Sequence, residues 1–104
     1  MELMVLAVPD CPGALVLEQR LAGLLAGRPG VTVTRRVVGD PAEAARWGMC
    51  GSPTLLVDGR DPFAVPGTVP AMACRLYAGE NGRMEGAPAV LALRQVLEQA
   101  DART

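Results

Sequence analysis

The chain has 104 residues, enough for one domain built around a single modest hydrophobic core. Half of the residues are apolar and the formal net charge is −1, so the chain lacks the basic tail or patch that binds nucleic acid. It contains no histidine and no lysine, which excludes histidine-based catalytic triads, histidine-ligated metal sites and Schiff-base chemistry on a lysine side chain.

The N-terminal residues have neither the positive start nor the long apolar run of a signal peptide, and no stretch approaches the roughly 20 apolar residues of a membrane span. We therefore expect a cytoplasmic protein with no membrane partner. Three cysteines are an odd number, which fits a disulfide scaffold poorly. In a reducing compartment, cysteines are more often catalytic, redox-active, metal-binding or simply buried.

The first half of the chain predicts a strand, a helix and a second strand. Residues 3–8 are a continuous apolar run that ends at a proline, which is typical of a buried central strand. Residues 13–26 carry leucines at helical spacing before a glycine and a proline stop the pattern. Residues 31–38 are β-branched and predict a strand. Arg35 interrupts its alternation, and either a bulge or a strand end would explain this.

The second half predicts a short helix, two strands and a last helix. Asp40 as N-cap, followed by Pro41, begins a helix that ends at Gly48. The predicted strands are residues 54–57 and 71–77, joined by a loop with three prolines. An Asn-Gly turn follows, and a final helix opens at a proline near residue 88.

This order, β-α-β-α-β-β-α, predicts an α/β domain over residues 1–104. The strands of the first half should be parallel with a right-handed crossover, and the last two strands should be antiparallel. We expect a mixed four-stranded sheet with helices on both faces. The apolar strand 71–77 could form an edge through which two copies make a homodimer.

Cys11 is the principal candidate for chemistry, because it lies between the first strand and the first helix. Backbone N–H groups and the helix dipole at such a position favour thiolate, the nucleophilic and metal-binding form of cysteine. The alternative is a small apolar side chain buried at the helix start. Asp10 could act as an acid, but we expect it to cap the helix.

The chain resembles the thioredoxin-like superfamily over nearly its whole length. More narrowly, it is similar to small actinobacterial thioredoxin-like proteins labelled alkylmercury lyase-like. The residues that carry the narrower resemblance are Val8-Pro9-Asp10-Cys11-Pro12, Gly48-Met49, Gly51-Ser52-Pro53-Thr54-Leu55-Leu56-Val57-Asp58-Gly59, Asp61-Pro62-Phe63-Ala64, Cys74-Arg75-Leu76-Tyr77 and Gly86-Ala87-Pro88.

The resemblance implies that Cys11 is the helix-start nucleophile and that Pro53 is the cis-proline facing it. Pro12, Ser52 and Pro53 would form the substrate groove, and a cis bond would turn the Ser52 carbonyl outward to bind a ligand. The second cysteine of the thioredoxin Cys-x-x-Cys pair is replaced by Ala14, so exchange within such a pair is excluded.

The organomercurial lyase resemblance implies two thiolates and a carboxylic acid. The roles would fall to Cys11 with Cys74 or Cys50, and to Asp10 as the acid. Cys50 precedes Pro53 by three residues and Cys74 lies in a neighbouring predicted strand, so each could approach Cys11 or be structural. Converging sulfurs would suit a soft metal such as Hg(II), As(III) or Cu(I); otherwise no cofactor is expected.

Three functions therefore remain open. The first is thiol chemistry at Cys11 on a disulfide, peroxide or other electrophile, with Cys50 or Cys74 as the resolving thiol. The second is carbon–mercury cleavage or soft-metal binding by paired thiolates. The third is a non-catalytic thioredoxin-like module that binds a ligand or partner. We favour the first. A reversible disulfide to Cys11 would support the first function, and soft-metal binding that uses two thiols would support the second. A Cys11→Ser variant that keeps its function would support the third.

Overall fold

A computed structural model describes residues 1–103, so Thr104, the last residue of the predicted domain, lies outside the described part. Within this range the chain forms three helices and seven short strands. The bounds are β1 Glu2–Ala7, α1 Pro12–Leu25, β2 Thr32–Val37, α2 Pro41–Trp47, β3 Cys50–Ser52, β4 Thr54–Val57, β5 Ala71–Cys74, β6 Tyr77–Ala78, β7 Met84–Glu85 and α3 Val90–Ala102.

The central sheet has the strand order β2-β1-β4. β1 pairs in parallel with β2, through the α1 crossover, and antiparallel with β4. Successive side chains of a strand point to opposite faces, so β1 serves two cores. Leu3, Val5 and Ala7 pack with α1 and α3, whereas Leu6 packs with α2. The predicted α/β class with helices on both faces is therefore confirmed.

The prediction of a four-stranded sheet is wrong, because the central sheet of the described chain has three strands. The segment 71–77 does not pair antiparallel with β4. Its first part, β5, pairs in parallel with β3, where Cys50 lies opposite Ala71 and Ser52 opposite Cys74. The chain then leaves this pairing, and β6 forms an antiparallel hairpin with β7. The Asn81-Gly82 turn connects that hairpin, as its sequence indicates.

β2 is an edge strand whose six residues are all exposed. The exposure of all six side chains explains the imperfect alternation around Arg35, because no face of β2 is buried and so neither has to be apolar. Arg35 pairs with Glu18 of α1 at 3.1 Å on one face of the sheet. On the other face, the Arg36 guanidinium lies 3.9 Å from the centre of the Trp47 ring of α2.

The short helix α2 begins as predicted. The Asp40 side chain accepts a hydrogen bond from the Glu43 N–H at 2.8 Å, and Pro41 occupies the first helical position. Gly48 ends the helix in the left-handed conformation. None of the helices in residues 1–103 is long and apolar enough to cross a membrane.

Candidate functional site

Cys11 is the N-cap residue of α1, and its side chain makes no capping hydrogen bond. Pro12 takes the first helical position, so the helix starts one residue earlier than the sequence indicated. The Cys11 side chain is 6 % exposed and belongs to the larger core. It also lines an open groove of about 490 Å³ with Asp10, Leu15 and Arg35. Cys11 is therefore a core residue at the edge of an accessible groove.

Asp10 does not cap α1, contrary to the sequence-based expectation. Its backbone has a φ of 58°, in the left-handed region, and its side chain is exposed. A Pro at the first helical position makes Cys11 the N-cap, which leaves Asp10 one residue outside the helix. The carboxylate is thus free to face the groove that it lines beside Cys11.

Pro53 lies against the start of α1, and its peptide bond to Ser52 is cis. A Cβ added to Gly13 would come within 3.0 Å of the Pro53 Cδ and would clash with the Gly86 carbonyl oxygen. The Ser52 hydroxyl accepts a hydrogen bond from the Val8 N–H at 3.0 Å. These contacts join the loop that carries Cys11 to the turn that precedes β4.

The expectation that the Ser52 carbonyl is free for a ligand is wrong. It accepts the Arg75 N–H at 3.0 Å, because the segment after β5 occupies that edge of β3. Ser52 and Pro53 are both buried, whereas Pro12 is exposed and lines the Cys11 groove. Of the three residues predicted to form the substrate groove, Pro12 is therefore accessible, whereas Ser52 and Pro53 are covered by the chain itself.

The three cysteines differ in exposure, and all are free thiols. Cys50 is half-buried and lines a separate cleft of about 280 Å³ together with Arg75. Cys74 is exposed on β5, opposite Ser52 of β3. The structure thus places Cys50 and Cys74 on one strand pair, while Cys11 opens to a different groove. Within residues 1–103, no group of three or more Cys, Asp or Glu side chains is arranged to hold a metal.

A largely buried polar cluster surrounds Arg75, which lines the same cleft as Cys50. The Arg75 guanidinium contacts an Asp61 carboxylate oxygen at 2.7 Å and also donates to the Phe63 carbonyl at 2.7 Å. A longer bond, 3.3 Å, joins it to the Thr54 hydroxyl. The Tyr77 hydroxyl donates to the Pro53 carbonyl at 2.6 Å. This cluster fastens the proline-rich loop to the sheet.

The sequence did not single out this cluster. The pattern of residues 71–77 predicts a strand but no buried charge, whereas the Arg75 side chain is only 13 % exposed. Asp61 and Phe63 lie in an irregular loop, and no regular spacing connects such a loop to the strand residue that it meets. The one usable signal was the loop itself, since a long proline-rich segment inside a small domain is seldom without contacts.

Burial raises the pKa of Tyr77 well above its ordinary value. The neighbouring Arg75 opposes this by favouring the phenolate, while Asp61, Cys11 and Cys50 add negative charge that disfavours it. Burial alone would lower the pKa of Arg75, but its hydrogen bond to Asp61, with smaller contributions from Tyr77 and Cys50, raises it overall. Arg75 is therefore charged and Tyr77 neutral at physiological pH.

Comparisons with protein-family models, with curated proteins and with solved structures found no match to this chain.

Proposed function

We propose that this chain is a thioredoxin-like thiol protein in which Cys11 reacts as a single nucleophile with small disulfides. The observation that carries the proposal is the position of Cys11 as the N-cap of a 14-residue helix, on an open groove of about 490 Å³. The unpaired N–H groups and dipole of a helix N-terminus stabilise a thiolate, which is the attacking form. The contact of the same helix start with Pro53 supports the thioredoxin-like assignment.

The reaction is a thiol–disulfide exchange. The Cys11 thiolate attacks one sulfur of a small disulfide, forms a mixed disulfide and releases the other half as a thiolate. A second small thiol then attacks the mixed disulfide and restores Cys11. An external thiol is required, because Ala14 replaces the usual resolving cysteine and Cys50 lines another cleft. Arg35 in the groove would attract an anionic substrate, although Glu18 partly neutralises it.

The separation of the thiols favours this function over paired-thiolate chemistry. Carbon–mercury cleavage needs two sulfurs on one metal and an acid beside them. Asp10 lines the groove with Cys11, but Cys50 does not, and Cys74 is exposed on β5. A groove that holds a single thiol suits a single-thiol reaction.

The test compares two variants that each retain one thiol of interest. The Cys50→Ser/Cys74→Ser protein keeps Cys11, and the Cys11→Ser/Cys50→Ser protein keeps the exposed Cys74. Each is incubated with oxidised glutathione, and the mixed disulfide is followed by intact mass and then reversed with reduced glutathione. We expect Cys11 to react faster than Cys74 and than a free model thiol, despite its burial.

Slower reaction of Cys11 than of Cys74 would refute the proposal, since exposure alone would then determine reactivity. Titration with mercuric ion distinguishes the alternatives. Binding of one ion for each Cys11 thiol agrees with a single nucleophile. Uptake that consumes Cys11 and a second thiol together in the unmodified chain would instead favour the paired-thiolate function. Circular dichroism of each variant confirms that the fold is retained.

A further inference from the structure

The helix α2 covers only part of its face of the central sheet. A helix of seven residues is about 10 Å long, whereas the six residues of β1 span about 20 Å. α2 packs over Leu6 and leaves the other end of the sheet open. The opening is a cleft of about 320 Å³, on the opposite face of the sheet from α1 and α3.

The register of the sheet defines the floor of this cleft. Met4 lies opposite Thr34 of β2 and opposite Leu56 of β4, so these three residues form one row across the sheet. The next row begins with Glu2, whose partner is Thr32. Met4 and Leu56 supply an apolar surface, and the threonines supply hydroxyl groups at its side.

Arg46 and Trp47 form the wall of the cleft. Within the described chain, neither the Arg46 guanidinium nor the Trp47 indole N–H has a hydrogen-bond or ion-pair partner. Arg36 covers one face of the indole ring and adds a second positive charge. Two carboxylates lie near the same end of the sheet, because Glu2 lines the cleft and Asp58 accepts the Glu2 N–H at 2.8 Å. The cleft thus combines an apolar floor with a wall that carries an unpaired guanidinium and an unpaired indole N–H.

From this combination we infer that the cleft binds a small carboxylate that carries an apolar ring. The carboxylate would pair with Arg46, whose planar guanidinium matches it geometrically. The ring would lie on Met4 and Leu56 beside the indole. A pocket of this size, mostly apolar with a few directed polar groups, is typical of small-molecule sites. The site is separate from Cys11, which lies in a different groove.

Trp47 is the only tryptophan of the chain, so its fluorescence reports directly on this cleft. The full chain is titrated with cyclohexanecarboxylate, with cyclohexanecarboxamide as a probe without charge and acetate as a probe without a ring. We expect a saturable change in emission with the carboxylate. Loss of either the charge or the ring should weaken binding about tenfold or more.

The variant Arg46→Gln should weaken binding of cyclohexanecarboxylate by about the same factor, since a hydrogen bond between charged groups is lost. Arg94→Gln is the matched control, because Arg94 is an exposed arginine of α3 outside the cleft, and it should bind normally. Cys11→Ser should also bind normally, which separates this site from the thiol function. No saturable signal, equal binding of the amide, or unchanged binding by Arg46→Gln would each overturn the inference.

Discussion

Replacing Arg75 with methionine tests whether the buried ion pair holds the proline-rich loop on the sheet. Methionine keeps an unbranched apolar stem of similar length but removes the guanidinium. The variant loses the contact with Asp61 and the bonds to the Phe63 carbonyl and the Thr54 hydroxyl. Asp61 remains as a carboxylate that was positioned for a cation.

The size of the effect follows from burial. The side chains of Arg75 and Asp61 are 13 % and 11 % exposed, and removal of one partner from a buried pair costs about 3–5 kcal/mol. Asp61 keeps a bond from the Phe63 N–H at 2.9 Å and some contact with water. We therefore expect Arg75→Met to lower the free energy of unfolding by about 3 kcal/mol, the lower end of this range.

Arg28→Met is the matched control. Arg28 pairs with Asp101 at 2.7 Å, but these side chains are 33 % and 49 % exposed. Water screens such a pair, so its loss should cost about 0–1 kcal/mol. Both changes are Arg→Met at an ion pair, but the Arg75 pair is more buried, and Arg75 also loses its bonds to Phe63 and Thr54.

Urea unfolding, followed by circular dichroism, measures both variants together with Asp61→Leu and the double variant Arg75→Met/Asp61→Leu. The double variant should recover part of the loss, because no uncompensated charge remains in it, and the coupling should be about 1–3 kcal/mol. If Arg75→Met costs no more than Arg28→Met, or if the two cluster substitutions are additive, the cluster does not stabilise the loop as described.

Three further predictions concern single positions. Above pH ~10 the unfolded chain releases the Tyr77 proton while the folded state keeps it, so the free energy of unfolding should fall by up to about 1.4 kcal/mol per pH unit. Urea unfolding of the unmodified chain and of Tyr77→Phe at several pH values should isolate this slope. Gly13→Ala should reduce stability by about 1–3 kcal/mol and lower the melting temperature, because the added methyl group clashes with the Gly86 carbonyl. Gly23→Ala, which has open space on the same helix, should not reduce it, and equal effects of the two variants would contradict this contact. Asp40→Ala should cost about 0.5–2 kcal/mol in chemical denaturation by removing the α2 cap, and an unchanged midpoint would exclude that role.

The sequence was sufficient where a structural element depends on its own residues. The apolar run of β1, the leucine spacing of α1 and the Asp-Pro start of α2 each specify a local conformation, and all three elements form. The position of Cys11 at a helix start followed from the same local signals. These patterns are local because each depends on periodicity or capping over one or two turns.

The sequence was insufficient where the structure depends on pairing between distant segments. Residues 71–77 have the composition of a strand, but composition does not determine which strand they pair with. They pair with β3 and not, as the sequence had indicated, with β4. The same choice covered the Ser52 carbonyl and brought Arg75 under the loop. One long-range pairing therefore accounts for the wrong strand count, the occupied Ser52 carbonyl and the unforeseen polar cluster.

The central position of β1 has a consequence for how the domain opens. Alternate residues of this strand belong to different cores, so separation of either helical layer exposes apolar surface on the strand that supports the other. Its amides bond to β2 on one side and to β4 on the other. Amide hydrogens of β1 should therefore exchange with deuterium only when the whole domain unfolds, and their exchange rates should report its global stability.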